Sequence, residues 1–287
     1  MAPRKIALLT DSCADLSPRM AEENRIHVVP LRIRCADGEY RDGVEISAAD
    51  VYRRLRVGEL PKTSLPTGED IETLFDSLAA RGYDGVIAVM LSGGLSGTYN
   101  LTRLMAQERK DMDIRVFDSA SGSLGVGIIM LQLAEDLRAG ASWRELTRKR
   151  VPQLIANTHP FFSVDTLEYL QKGGRIGKIT AMAGTMLQIK PVLGFAPDGQ
   201  LQSAAKARGR RQVQDKLIDL VVQACGKHKK YNLAVANGGA PEAMAELKSK
   251  LMEALPDYDH IWEGELGGTL SVYIGDGVLG AAVQILD

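Results

Sequence analysis

Val86-Ile87-Ala88-Val89-Met90-Leu91 runs directly into Ser92-Gly93-Gly94-Leu95-Ser96-Gly97-Thr98-Tyr99, and this junction decides the reading of the chain. Six consecutive apolar residues predict a strand buried on both faces, as in a parallel sheet covered by helices. The glycines and hydroxyls that follow, leading into a helical pattern, are how α/β folds offer free backbone N–H groups and a helix N-terminus to an anion. The stretch names a charge and not a ligand: it matches neither the GxGxxG nor the GxxxxGK[ST] phosphate loop, and it is one residue short of a Gly-x-Ser-x-Gly nucleophile elbow. A tight turn with Ser96 capping the next helix accounts for the same residues equally well.

Working outward, Lys5 to Thr10 predicts a strand ending in Asp11-Ser12-Cys13-Ala14-Asp15, and Ile114 to Phe117 one ending in Asp118-Ser119. Carboxyl ends of parallel strands converge, so the ends after Leu9, Leu91 and Phe117 are expected to line one site. Helical periodicity at 68–81, 97–109 and 121–139 makes this half βαβ in style, and Trp143 to Ala156 reads as a further helix. The pattern changes at Thr158-His159-Pro160, which sets expected domains at 1–157, a parallel-sheet α/β unit, and 158–287, an α+β unit. The second is expected to hold a strand at 161–164, a helix at 166–172, strands near 189–195 and 200–206, and a helix over about 208–228. It continues with a strand at 231–236, a helix at 241–254 and three closing strands near 259–263, 269–274 and 278–286.

The 287 residues are 45% apolar and carry a net charge of -1. That is ample for a core, while the charge excludes a broad electrostatic footprint for nucleic acid, the basic run Arg208-Gly209-Arg210-Arg211 being short. Three widely spaced cysteines (Cys13, Cys35, Cys225) fit reduced thiols, and no stretch reaches the ~18 apolar residues of a membrane span, so a cytoplasmic protein without a transmembrane segment is expected. Four histidines (His27, His159, His228, His260) show no metal-ligand spacing; Asp11, Asp15 and Asp118 are better suited to caps and turns than to a metal. Thr67 followed by Asp70 is a capping pattern for the helix at 68, whereas Thr63 and Ser64 lie too far upstream to cap it. Arg175, set between Gly173-Gly174 and Gly177, is either a solvated side chain or a fork for an anion on a partner.

Taken together the motifs resemble the DegV family, the acyl-binding subunits of bacterial fatty acid kinase systems. The resemblance rests on Thr10-Asp11-Ser12 with Asp15-Leu16, Thr63-Ser64-x-Pro66-Thr67, Leu91 to Tyr99, Asp118-Ser119, Asp165 to Leu170 with Gly173-Gly174-Arg175-Ile176, Ile189 to Leu193, Lys206-Ala207-Arg208 and Gly275-Asp276-Gly277. It implies a two-domain α/β protein with a lipid-binding cleft between the domains. The family's carboxylate site falls on Thr63 and Ser64 and on Ser92, Gly93, Ser96, Gly97 and Thr98, and its kinase-contact arginine falls on Arg175. Two positions depart from the family pattern: Gly93 stands where a second serine is usual, and Tyr273 where a closing-strand histidine is often found. Tyrosine donates a hydrogen bond but brings no positive charge at neutral pH.

The resulting expectation is a non-catalytic protein that binds a long-chain fatty acid and presents its carboxylate to the catalytic subunit of a fatty acid kinase, without metal or cofactor. It would be a monomer touching membranes only transiently during lipid exchange. Phe161, Phe162, Met182, Met186, Leu187, Ile189 and Val192 are tail-lining or core positions. The alternatives are a serine esterase or acyl transferase using Ser96 or Ser92, which lacks a visible base, and a binder of another anionic amphiphile.

Overall fold

The computed structural model describes residues 4–182 and 189–287. The first sheet joins β1 (Ile6–Asp11), β2 (Ile26–Val29), β6 (Gly85–Met90) and β7 (Asp113–Asp118), all parallel, in the order β2-β1-β6-β7. Its apolar run divides by parity. Ala7, Leu9, Val86, Ala88 and Met90 pack on helices Gly68–Ala80 and Thr98–Glu108. Leu8, Ile87 and Val89 face the opposite way, toward helices Leu124–Arg138 and Val151–Ala156. A strand with helices on both faces has no polar side to show, which is why its sequence is unbroken by polar residues.

The second sheet joins β8 (Thr158–Ser163), β9 (Lys190–Phe195), β10 (Leu201–Ala207), β11 (Tyr231–Gly238), β12 (Ile261–Glu265) and β13 (Val278–Ile285). Its order is β10-β9-β8-β13-β11-β12, antiparallel except for the β11–β12 pair. Leu233, Val235, Leu279 and Val283 turn to helices Gly209–Cys225 and Pro241–Ala254. Ala234, Ala236, Val278 and Ala282 turn to the other face, where Leu124 and Ile128 arrive. Helix Leu124–Arg138 is therefore packed between the two sheets, as its nearly continuous apolar sequence requires. A buried amide chain reinforces that contact: Asn232 donates to Gln132 (2.9 Å) and Gln284 (3.1 Å), and Gln284 donates to Thr158 (3.1 Å).

Besides strand β2 and the short helix Pro18–Glu23, which the sequence reading did not anticipate, two features differ from expectation in ways that bear on the site. Residues 32–64 build a small antiparallel sheet, β4-β3-β5 (Gly38–Arg41, Arg32–Cys35, Lys62–Ser64), with helix Ala48–Arg56 beside it. Its strands are short and rich in arginine, so no apolar alternation announces them. The segment 269–274, read as a strand from its β-branched and aromatic residues, is instead part of helix Gly268–Ile274. Tertiary contacts override propensity: Asp15 accepts the Gly267 N–H (2.9 Å), while Asp42 accepts those of Gly268 (3.0 Å) and Thr269 (3.2 Å), satisfying donors that a helix start leaves open. Gly275-Asp276-Gly277 thus links a helix, rather than a strand, to β13.

The turn between β9 and β10 docks on the loop after β6. Ser92, fully buried, donates to the Gly199 carbonyl (2.7 Å) and accepts from the Gly94 N–H (3.1 Å). A Cβ on Gly94 would lie 2.6 Å from the Gly199 carbonyl carbon and 2.7 Å from the Asp198 oxygen, both backbone atoms. Gly94→Ala should therefore cost about 1–3 kcal/mol through overpacking, read as a lower urea midpoint with an unchanged slope. An unchanged midpoint would show that the two loops are not in tight contact.

Candidate functional site

Between the carboxyl edge of the parallel sheet and the alanine-lined face of the mixed sheet lies a cavity of about 950 Å³, its open mouth included. The loop after β6 contributes Leu91, Leu95 and Ser96; the loop after β7 contributes Gly122 and Ser123, and the helix that follows it Leu124 and Gly125; helix Gly268–Ile274 contributes Thr269, Leu270, Tyr273 and Ile274. The strand end after β1 stands behind the wall. Asp11 accepts the N–H groups of Cys13 (2.9 Å) and Leu91 (2.8 Å), bracketing two loops, and Ser12 donates to Asp42 (2.9 Å). These aspartates serve turns and caps, and among the described residues no group of three His, Cys, Asp or Glu side chains is placed to hold a metal ion.

Five half-buried polar side chains on the wall are Thr63, Ser96, Ser123, Arg175 and Tyr273, of which all but Ser123 gather at one end. Thr63 and Tyr273 share a hydrogen bond of 2.5 Å between their hydroxyls. The Arg175 guanidinium lies 5.0 Å from the centre of the Tyr273 ring and donates to the carbonyls of Gly173 (2.8 Å) and Leu95 (3.4 Å). Ser96 exchanges a hydrogen bond with the buried Thr98 hydroxyl (2.9 Å) and accepts the Thr98 N–H (3.3 Å), a local turn just before the helix, whose N-cap position is Gly97 rather than Ser96. The charge that tyrosine cannot supply is thus present next to it, on Arg175.

The remaining candidates are placed elsewhere. Ser64, on the face of β5 opposite Thr63, is exposed and donates to Glu39 (3.1 Å). Ser92 is committed to the Gly199 turn. Gly93 donates its N–H to Asp118 (3.0 Å), and a Cβ there would meet the other Asp118 oxygen at 2.6 Å, so a side chain at this position displaces that carboxylate. Gly97 precedes helix Thr98–Glu108 and faces Leu65. Of the tail candidates, Phe161 and Phe162 line the cavity, whereas Val192 packs in the core beyond the sheet. Ile189 is not among the lining residues. Met186, Leu187 and the Met182 side chain lie outside the described residues. Residues that the sequence did not single out, including Leu31, Phe195, Leu266 and Thr269, are brought to the wall by topology alone. No histidine lines the cavity among the described residues, so Ser96 has no imidazole base beside it.

The comparisons with known proteins agree with this architecture. The sequence profile described as "Uncharacterised protein, DegV family" matches residues 5–285. The chain belongs to the DegV family. A DegV domain-containing protein of Clostridium acetobutylicum is 37% identical over 97% of this chain and 98% of its own length. Among solved structures, a DegV family protein from Thermus thermophilus, described by its fatty acid binding, has a TM-score of 0.92 at 31% identity, covering 98% of this chain and 100% of that one. DegV of Bacillus subtilis, described as a fatty acid binding protein, has a TM-score of 0.89 at 28% identity over 99% and 100%. A stearic acid-binding protein of Eubacterium ventriosum has a TM-score of 0.87 at 27% identity over 98% of both chains. Among the described residues of this DegV protein no helix is long and apolar enough to cross a membrane.

Burial dominates the electrostatics behind the wall. It pushes Asp11 up to about 6 and raises Asp15 and Asp42 as well, backbone and side-chain donors only partly offsetting it. The folded protein therefore binds protons that the unfolded chain, with ordinary carboxylates near 3.8, has released. For such raised groups stability is greatest at the low end and declines as pH rises from about 4 through about 6. Asp11 alone contributes on the order of 2–3 kcal/mol to that decline. Denaturation titrations should show this slope in the wild type and a shallower one in Asp11→Asn; parallel profiles would mean that Asp11 is ionised in the fold at ordinary pH.

Proposed function

We propose that this DegV protein binds one long-chain fatty acid, with the carboxylate held by the hydroxyls of Thr63, Ser96 and Tyr273 beside Arg175 and the tail lying in the apolar remainder of the cavity. The observation that carries the reading is a cavity apolar over most of its wall, with the Thr63, Ser96 and Tyr273 hydroxyls gathered beside the Arg175 guanidinium and, among the described residues, no imidazole on the wall and no metal-binding cluster. The fatty-acid-binding descriptions of the structural neighbours support it. The tail runs over the small residues Ala234, Ala236, Gly280 and Ala282 and past Phe162 and Phe195. Burying about 14 methylenes of a sixteen-carbon acid at ~0.8 kcal/mol each yields roughly 11 kcal/mol before association costs remove a large part. The head group then sets orientation more than affinity.

In this reading the chain is a cytoplasmic, non-catalytic carrier, divided near residue 157 into two domains that close on the lipid. It presents the acid to an ATP-dependent kinase subunit, which forms the acyl phosphate. Arg175 stands beside the head group, where a docking kinase would also meet it. Protein expressed in a bacterium and extracted for mass spectrometry should release one acyl chain per molecule; folded protein yielding none would contradict the reading. Thr63→Ala combined with Ser96→Ala should weaken palmitic acid binding about tenfold or more, each lost hydrogen bond being worth on the order of 1 kcal/mol. Circular dichroism reports whether the fold survives, and full retention of the acid would put the head group elsewhere. Arg175→Ala should keep its lipid while losing acyl phosphate formation with the kinase, and loss of the lipid would assign the guanidinium to binding instead.

A further inference from the structure

The register of the mixed sheet sets the cavity wall in rows. On the face toward helix Leu124–Arg138, Ala236, Gly280 and Phe162 stand side by side across β11, β13 and β8, followed by Ala234, Ala282 and Pro160, and then by Asn232, Gln284 and Thr158. The first two rows line the cavity, and the third lies beyond it. The helix opposite stops contributing at the same level. Leu124 and Gly125 line the cavity, whereas Ile128, one turn on, is fully buried past the lining and clusters with Leu124, Ala234 and Ala282. One further turn brings Gln132, which accepts from Asn232 of the third row (2.9 Å). The two rulers agree: Leu124 to Gln132 is about 12 Å of helix and Ala236 to Asn232 about 13 Å of strand, so helix and sheet run side by side from the cavity to the amides.

The space past Ile128 is closed to a hydrocarbon. Gln132 donates to Asp136 (3.0 Å), Asn232 also donates to Gln284 (3.1 Å), Gln284 to Thr158 (3.1 Å), and Thr158 to the Leu154 carbonyl (2.7 Å). Asn232 and Gln284 are fully buried, so a methyl group pushed into this row would break hydrogen bonds whose donors have no water to turn to. The same bonds tie the helix to the sheet at this level, which fixes the depth of the cavity in front of them.

We propose that Ile128, backed by the amide row, is the stop for the acyl chain and sets the longest acid that the protein binds well. The inference rests on the fatty-acid reading above and adds what selects the far end of the tail. A chain that just reaches Ile128 gains from each methylene it buries. A longer one must fold back, withdraw its carboxylate from Thr63, Ser96 and Tyr273, or displace a close-packed side chain. Ile128 stands outside every motif read in the sequence.

The test is the affinity of the delipidated full-length protein for the even-numbered saturated acids from dodecanoic to docosanoic, with circular dichroism to show that each variant is folded. In the wild type affinity should climb with length and then fall about tenfold or more within the next two carbons. Ile128→Ala vacates the volume of three carbon atoms, so the fall should move about two carbons longer, the first excluded acid gaining about tenfold. Ile128→Val, which keeps the site nearly filled, should shift the profile in the same direction by a smaller factor. Ala282→Val adds bulk to the wall just before the stop and should move the fall to shorter acids. A length profile unchanged in the folded Ile128 variants, or a wild type with no fall up to docosanoic acid, overturns the stop. A wild type that binds none of the acids overturns the fatty-acid reading itself, a distinguishable result.

Discussion

The N–H groups of Gly267, Gly268 and Thr269 end on the carboxylates of Asp15 and Asp42, and the wall of the cavity depends on those contacts. The helix they start has seven residues, three of them β-branched at Thr269, Val272 and Ile274, and too little length to be stable alone. Held at its N-terminus by groups more than two hundred positions earlier in the chain, it delivers Leu270, Tyr273 and Ile274 to the ligand space. Further ties hold its flanks: Ser271 donates to Tyr52 (2.8 Å), and Arg56 bonds Asp276 (2.7 Å) just beyond it. The small sheet of residues 32–64 is thereby fixed to the second half of the chain, and Thr63 with it.

The same contacts explain why the polar end of the cavity assembles from distant segments. Thr63 comes from the small sheet, Ser96 from the loop after β6, Arg175 from a loop after a short helix, and Tyr273 from the capped helix. None of these elements could hold its side chain against the others alone. Asp11 ties the β1 loop to Leu91, and Ser92 ties the β6 loop to the Gly199 turn. The opposite wall is rigid for a different reason: β8, β13 and β11 are central strands, packed behind by two helices, and their alanines and Gly280 leave the room that a chain of methylenes fills.

What the sequence made legible followed local physics. The run Val86 to Met90 announced a strand covered on both faces, and the pairing of Thr67 with Asp70 announced a capping box, which the structure shows in both directions. Thr269 to Ile274 misled because its residue types suit a strand and the carboxylates that make it a helix are invisible at that range. Strands β3 to β5 were missed because arginines and a glycine interrupt any alternation. In the candidate site, the motif positions Thr63, Ser96 and Tyr273 meet at the cavity, while Ser64 and Ser92 carry the same hydroxyl but point to Glu39 and Gly199. A motif fixes residue type and order; strand parity and a neighbouring turn decided which hydroxyls face the cavity.

The central claim is that one cavity holds a fatty acid with its carboxylate at Tyr273 and its tail against β11 and β13. A crystal structure of the protein with palmitic acid tests this most directly. The account predicts carboxylate oxygens within hydrogen-bond distance of the Thr63, Ser96 and Tyr273 hydroxyls, with continuous density for the tail over Ala236 and Gly280. A carboxylate at the alanine-lined end, or an acid bound outside the cavity, would contradict it.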